Sequence, residues 1–135
     1  MEVIEGATAA HRAEAGRIRM SGPKVDLGAK AVLAITLALH ELSTNAAKYG
    51  ALSGDEGTVS IDWSVTGGAA DSRFRLNWTE RGGPPVVPPQ QRGFGSRLIA
   101  DSIGADLKGQ ATLAFDPQGV TWTLDAPLTA VTQTF

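Results

Sequence analysis

The chain has 135 residues, 42% hydrophobic and 19% charged, the size and balance of one folded domain rather than of a disordered segment. A formal charge of −2 and an isoelectric point near 5.6 supply no basic field to draw it to nucleic acid or to an anionic membrane surface. The lack of cysteine rules out disulfides and thiolate metal sites, and His11 and His40 are too few for a typical zinc cluster.

No apolar run is long enough to span a bilayer and no signal-peptide core is present, so a cytoplasmic domain is the expectation. Residues 1–15 are polar, rich in alanine and glutamate and without a core pattern; they read as a linker or residual helix of a longer protein, ahead of a folded domain over 16–135. Residues 17–20 and 25–27 read as two short extended pieces around a Ser21-Gly22-Pro23 turn. A long helix is predicted over residues 29–49, with Gly50 as its stop. Val32, Ile35, Leu39, Leu42, Ala46 and Tyr49 follow the three/four spacing of a core-facing stripe. Glu41, Asn45 and Lys48 form a second line on the same helix, because positions three and four apart are surface neighbours.

Strict alternation then predicts strands. Val59, Ile61, Trp63 and Val65 share one side of TVSIDWSV, and Phe74, Leu76 and Trp78 share one side of FRLNWTE. Ala111, Leu113 and Phe115 do so in QATLAF, as do Val120, Trp122 and Leu124 in VTWTL. Gly67-Gly68 and Asp116-Pro117-Gln118-Gly119 supply the hairpin turns. Between the hairpins lie a glycine- and proline-rich loop, residues 81–93, and a short helix near 96–107 that buries Leu98, Ile99, Ile103 and Leu107. Period two with one polar face means an antiparallel sheet covered on one side only. The fold class is therefore α/β (α+β): a two-layer sandwich with a mixed, mostly antiparallel sheet and its helices on one face.

A carboxylate, a carboxamide and an ammonium side by side on a half-buried helix suit Mg²⁺ and phosphate, although a plain solvated helix face can hold the same three. Trp78 reads as core. Glu80 lies two residues on and points into the same layer, where a carboxylate needs a donor. The exocyclic amine of a purine would serve; so would a partner arginine, or solvent at a strand end. Gly82-Gly83 and Gly93-x-Gly95 allow close approach of the backbone to a ligand. Gly95-Ser96 opens the second helix, whose free N–H groups can receive an anion, and the prolines between restrict the loop in the manner of a lid.

In this order the segments resemble a known family. Residues 40–49, HELSTNAAKY, are similar to the N-box of sensor histidine kinases of the GHKL ATP-binding superfamily. His40 together with Trp78-Thr79-Glu80 matches the His and the Trp-x-Glu motif that name the HWE branch. The continuation GALS, the GGPPVVPP lid and GFGSRLI resemble that branch too, over roughly residues 17–127.

The resemblance implies a Bergerat fold with ATP held between the long helix and the lid. Asn45 would ligate Mg²⁺ through its amide oxygen, as Mg²⁺ prefers hard oxygen donors. Glu41 would polarise a Mg²⁺-bound water or order the phosphates, Lys48 would neutralise phosphate charge, and Tyr49 would border the adenine. Glu80 replaces the usual Asp of the first glycine box and would accept from the adenine amine, with Gly82 and Gly83 beside it. Gly93, Phe94, Gly95 and Ser96 would shape the second glycine box over the phosphates. The family pattern adds His40 to the catalytic set, yet on the helix it lies roughly 100° from Glu41, at the edge of the site.

The implied activity is that of a protein histidine kinase, passing the ATP γ-phosphate to a histidine on a separate dimerisation domain, with a response regulator downstream. Residues 1–15 would then be the tail of that dimerisation domain. Neither histidine here has an acceptor motif around it, so the isolated domain is expected to bind ATP without labelling itself. Two other functions fit the residues: a GHKL-type ATPase or switch in which Glu41 activates water, and a degenerate domain that only binds partners.

Overall fold

The alternating segments pair as their polarity requires. In the computed structural model, which describes residues 17–54, 56–68, 71–85 and 103–132, the elements run β1 (Ile18–Ser21), α1 (Ala29–Lys48), β2 (Thr58–Thr66), β3 (Arg73–Arg81), α2 (Ile103–Asp106), β4 (Gln110–Asp116), β5 (Gly119–Pro127) and α3 (Leu128–Thr132). The sheet order is β1-β2-β3-β5-β4. β1 pairs parallel to β2 through the α1 crossover, and the other three pairs are antiparallel.

Gly67, at φ +94°, turns the β2–β3 hairpin in a conformation that glycine adopts without a Cβ penalty. At the β4–β5 turn the Gln118 N–H donates to Asp116 Oδ1 at 2.8 Å, the local bond that makes aspartate a turn former. The inner face collects Val59, Ile61, Trp63, Phe74, Leu76, Trp78, Trp122, Leu124 and Ala126, all buried. On the outer face Asn77 Nδ2 donates to Asp62 at 2.8 Å, and Arg73 pairs with Asp125 at 3.0 Å. That pair is exposed and contributes little.

Helix α1 lies across this face, and Ile35, Leu39, Leu42 and Ala46 of the predicted stripe are buried, while its two end members, Val32 and Tyr49, are not. Ala31, Ala34, Ile35, Ala38, Leu39, Leu42, Ser43 and Ala46 are buried, while Val32 is 37% and Tyr49 74% exposed. Ala31, Ala34 and Ala38 widen the buried face beside that stripe, and Val32 lies at its exposed edge. Tyr49 is the C-cap residue, already past the last helical position. Val65 is also partly exposed, at the far end of β2.

Residues 25–27 form no strand, because β1 already occupies the free edge of β2. The segment is held instead by Trp63 Nε1 donating to the Pro23 carbonyl at 2.6 Å and by Gly28 N–H donating to Val131 O at 2.9 Å. Helix α3, which the sequence reading did not anticipate, buries Ala130 and Val131 against the core. The predicted second helix is seen only as α2, with Ile103 and Leu107 buried as expected. Its first turns with Leu98 and Ile99, the lid beyond Pro85, Gly93, Phe94, Gly95, Ser96 and residues 1–15 with His11 lie outside the described residues.

One core position is polar without recompense. Ser43 is fully buried and its hydroxyl has no partner. A desolvated, unpaired hydroxyl costs about 1–3 kcal/mol, and alanine is the better helix former. Ser43→Ala should therefore raise stability by about 1 kcal/mol, a rise in Tm of about 3 °C for a domain of this size. Thermal denaturation checks this, and a fall in Tm would mean that the hydroxyl is serving a contact.

Candidate active site

The polar line on α1 forms as its spacing requires. Glu41 and Asn45 are half-buried beside the core positions Leu42 and Ala46, and Lys48 is exposed in the last turn. Asn45 also helps end the helix, its carbonyl accepting from Tyr49 N–H at 2.8 Å and from Gly50 N–H at 3.2 Å. His40 is exposed and lies on the side of the helix that carries the exposed Leu33 and Leu37, away from this line. Tyr49 stands open at the helix end.

Glu80 ends the alternating series of β3 and is 2% exposed. Both carboxylate oxygens have donors: Ala51 N–H to Oε1 and Trp78 Nε1–H to Oε2, each at 2.9 Å. Burial pushes the Glu80 carboxyl above its ordinary value, and the bonds from Ala51 and Trp78 oppose that rise without cancelling it. The Trp-x-Glu spacing now has a physical content: period two along a strand places donor ring and acceptor carboxylate on the same face.

The glycines around this carboxylate serve close approach. Gly50, predicted as a helix stop, is not in the left-handed region. A Cβ there would run into the Glu80 carboxylate, and would sit 3.1 Å from Ala46 Cα. Gly83 packs on the same peptide, where a Cβ would lie 2.6 Å from Ala51 Cα and 2.9 Å from Ala51 N. Gly82 takes φ +77° to bring it there. In the described residues, then, the Gly82-Gly83 pair closes onto the exit of α1.

Arg17 was not singled out from the sequence, yet it fastens the other side of that exit. Its guanidinium donates to the carbonyls of Ala51 at 3.0 Å, Gly57 at 2.8 Å and Gly54. Ala51 is thus held through its N–H by Glu80 and through its C=O by Arg17. Nothing local distinguishes Arg17 from Arg19; only the fold brings the 51–57 segment to it.

The end of α1, the end of β3 and the first glycine pair consequently meet at one edge of the sandwich, with Glu41, Asn45 and Lys48 leading to it. Among the described residues no three His, Cys, Asp or Glu side chains cluster as a metal cage. A cation here would rely on few protein ligands and on the oxygens of whatever it accompanies, which is how Mg²⁺ is usually held.

Comparison with known proteins bears on the family and the fold. No family model matches the chain. The chain is 40% identical over 114 residues to a blue-light-activated histidine kinase of Brucella anthropi, covering 84% of this chain and 23% of that protein. It is 38% identical over 115 residues to the protein of that name in Brucella ovis, covering 85% and 24%. The chain therefore spans about a quarter of the length of the curated relatives it matches.

Among solved structures, the histidine kinase domain of the Erythrobacter litoralis EL346 blue-light activated histidine kinase superposes with TM-score 0.67 at 18% identity, over 98% of this chain and 64% of that one. The catalytic domain of histidine kinase ThkA superposes with TM-score 0.67 at 16% identity, over 93% and 92%. By sequence the chain is a relative of the histidine kinases, and by fold it belongs with their catalytic domains.

Proposed function

We propose that this chain is the ATP-binding catalytic domain of a two-component sensor histidine kinase of the HWE kind, transferring the γ-phosphate of ATP to a histidine on a separate dimerisation domain. The observation that carries the reading is the meeting of two motifs distant in sequence. The end of α1, the helix that carries the Glu41-Asn45-Lys48 line, and the Trp78-Glu80-Gly82-Gly83 group meet at the Gly50-Ala51 peptide.

Asn45 offers a hard, half-buried amide oxygen to Mg²⁺, Lys48 sets a cation beside the phosphates, and Glu41 orders water at the metal. Mg²⁺, when bound, would neutralise phosphate charge. Glu80 accepts from the adenine amine with lone pairs beyond those given to Ala51 and Trp78, since a carboxylate has about four acceptor positions. Tyr49 borders the base, and Gly93, Phe94, Gly95 and Ser96 close over the phosphates. His40, on the other side of α1, faces the acceptor domain rather than the metal. Positioning and charge stabilisation of this kind are most of what phosphoryl transfer asks of a protein.

A response regulator is the downstream partner. Histidine kinase ThkA, which this chain matches with TM-score 0.62 over 40% of that chain, has been solved in complex with the response regulator protein TrrA. No helix among the described residues is long and apolar enough to cross a membrane, and we place the domain in the cytoplasm.

Transfer needs the acceptor imidazole in line with the γ-phosphate at near contact. His40 is fixed on α1 and cannot reach it. The isolated domain incubated with radiolabelled Mg-ATP should bind nucleotide and stay unlabelled, and adding the dimerisation domain of the same protein should place acid-labile label on that partner. Steady phosphate release by the domain alone, with no label on the partner, would instead make it an ATP hydrolase.

A further inference from the structure

The Trp-x-Glu pair is bonded more tightly than two core neighbours need to be. Trp78 is fully buried and sits in register between Ile61 of β2 and Trp122 of β5, so its ring has no freedom to turn. Its indole N–H is a donor only, and it is spent on Glu80 Oε2 at 2.9 Å. A glutamate side chain otherwise has several rotamers open to it. Here one oxygen is held by a rigid ring of the sheet and the other by the Ala51 amide at the exit of α1. Gly50 packs against Oε1, the oxygen that Ala51 holds, so that any Cβ there would strike the carboxylate.

We infer that Trp78 is a positioning residue: its indole N–H holds the Glu80 carboxylate in the orientation that receives the Ala51 amide and leaves the acceptor pairs of Glu80 directed at the base of a bound purine nucleotide. The inference rests on the nucleotide reading above and adds to it the group that fixes base recognition. Without the indole donor, Oε2 becomes a desolvated anionic oxygen with no partner, and the carboxylate rotates to find one. Ala51 would stay in place, because Arg17 holds its carbonyl, so Asn45 and Lys48 keep their positions. The consequence falls on base selectivity rather than on phosphate binding. A site built to hydrogen-bond one group discriminates strongly only while that acceptor is correctly aimed.

The experiment compares Mg-ATP and Mg-GTP binding by calorimetry in the wild-type domain and in Trp78→Phe, which keeps an aromatic ring in the core and removes the N–H. The ATP-over-GTP preference should fall by about tenfold, the equivalent of one charge-assisted hydrogen bond, while Mg-GTP affinity changes by less than about threefold. A second readout needs no variant. In the wild-type NMR spectrum the Trp78 indole N–H signal should move on adding Mg-ATP and hold still on adding Mg-GTP. A folded Trp78→Phe that keeps the wild-type preference, or an indole signal indifferent to the base, overturns the positioning role and leaves the nucleotide reading intact. A wild-type domain that binds neither nucleotide overturns the nucleotide reading itself, and the inference with it.

Discussion

Asn45→Ala should weaken Mg-ATP binding by roughly 10- to 100-fold and leave metal-free ATP almost untouched, the range that follows from losing one interaction with a charged group at about 1.5–3 kcal/mol. Asn45 contributes the only amide oxygen in its row, and Mg²⁺ binds through such hard donors together with phosphate oxygens. The helix itself should not suffer. The contacts that end α1 use the Asn45 carbonyl, which accepts from Tyr49 and Gly50 N–H and survives the exchange, and alanine is the stronger helix former. An unchanged or slightly raised Tm would thus accompany the loss of affinity, separating a ligand effect from a folding effect. Calorimetry with Mg²⁺ and with a chelator checks the assignment. Equal ATP affinity under both conditions, in wild type and variant alike, would remove Asn45 from the metal site.

The sheet was legible because its signal is local and redundant: each of β2, β3 and β5 repeats the same alternation against one buried face. The inward aim of Glu80 followed from that parity alone. Its donors did not. One is a backbone amide, which every non-proline residue carries, and the other is an indole that parity classes as core filling. The phase of α1 was legible from Ile35, Leu39, Leu42 and Ala46; the width of its buried face was not, because hydrophobic patterning gives little weight to alanine, and Ala31, Ala34 and Ala38 are buried beside that stripe. Gly50 carried a plausible local explanation, helix termination, whereas its actual constraint comes from the carboxylate of Glu80, remote in sequence. Arg17 is the same lesson for a charged side chain. Its three carbonyl partners are assembled only when β1 pairs with β2. Helix α3, at five residues, is too short for periodicity to register.

Glu80→Gln should destabilise the domain by about 1–3 kcal/mol, the cost of one buried donor left unsatisfied, and should also abolish a pH dependence of stability. Glutamine can accept from Ala51 N–H through its carbonyl oxygen, but its amide nitrogen then confronts the indole N–H of Trp78, donor against donor. Flipping the amide moves the conflict to Ala51. The pH effect has a definite sign. Because burial raises the Glu80 carboxyl above its ordinary value of 4.5 in the folded chain, the folded state holds this proton more tightly than the unfolded state does. The contribution of Glu80 to stability is then fullest below the unfolded value and declines as pH rises through the folded one. The gap in stability between wild type and Glu80→Gln should accordingly be widest on the acid side, narrow as pH rises above 4.5, and level off once the folded carboxyl is ionised. Chemical denaturation of both proteins across that interval measures it. A gap that widens with rising pH would mean that the Ala51 and Trp78 bonds outweigh desolvation and that the folded carboxyl lies below its ordinary value. The exchange should also erode the preference for ATP over GTP, since the new amide N–H faces an adenine amine donor to donor while it can donate to the guanine carbonyl.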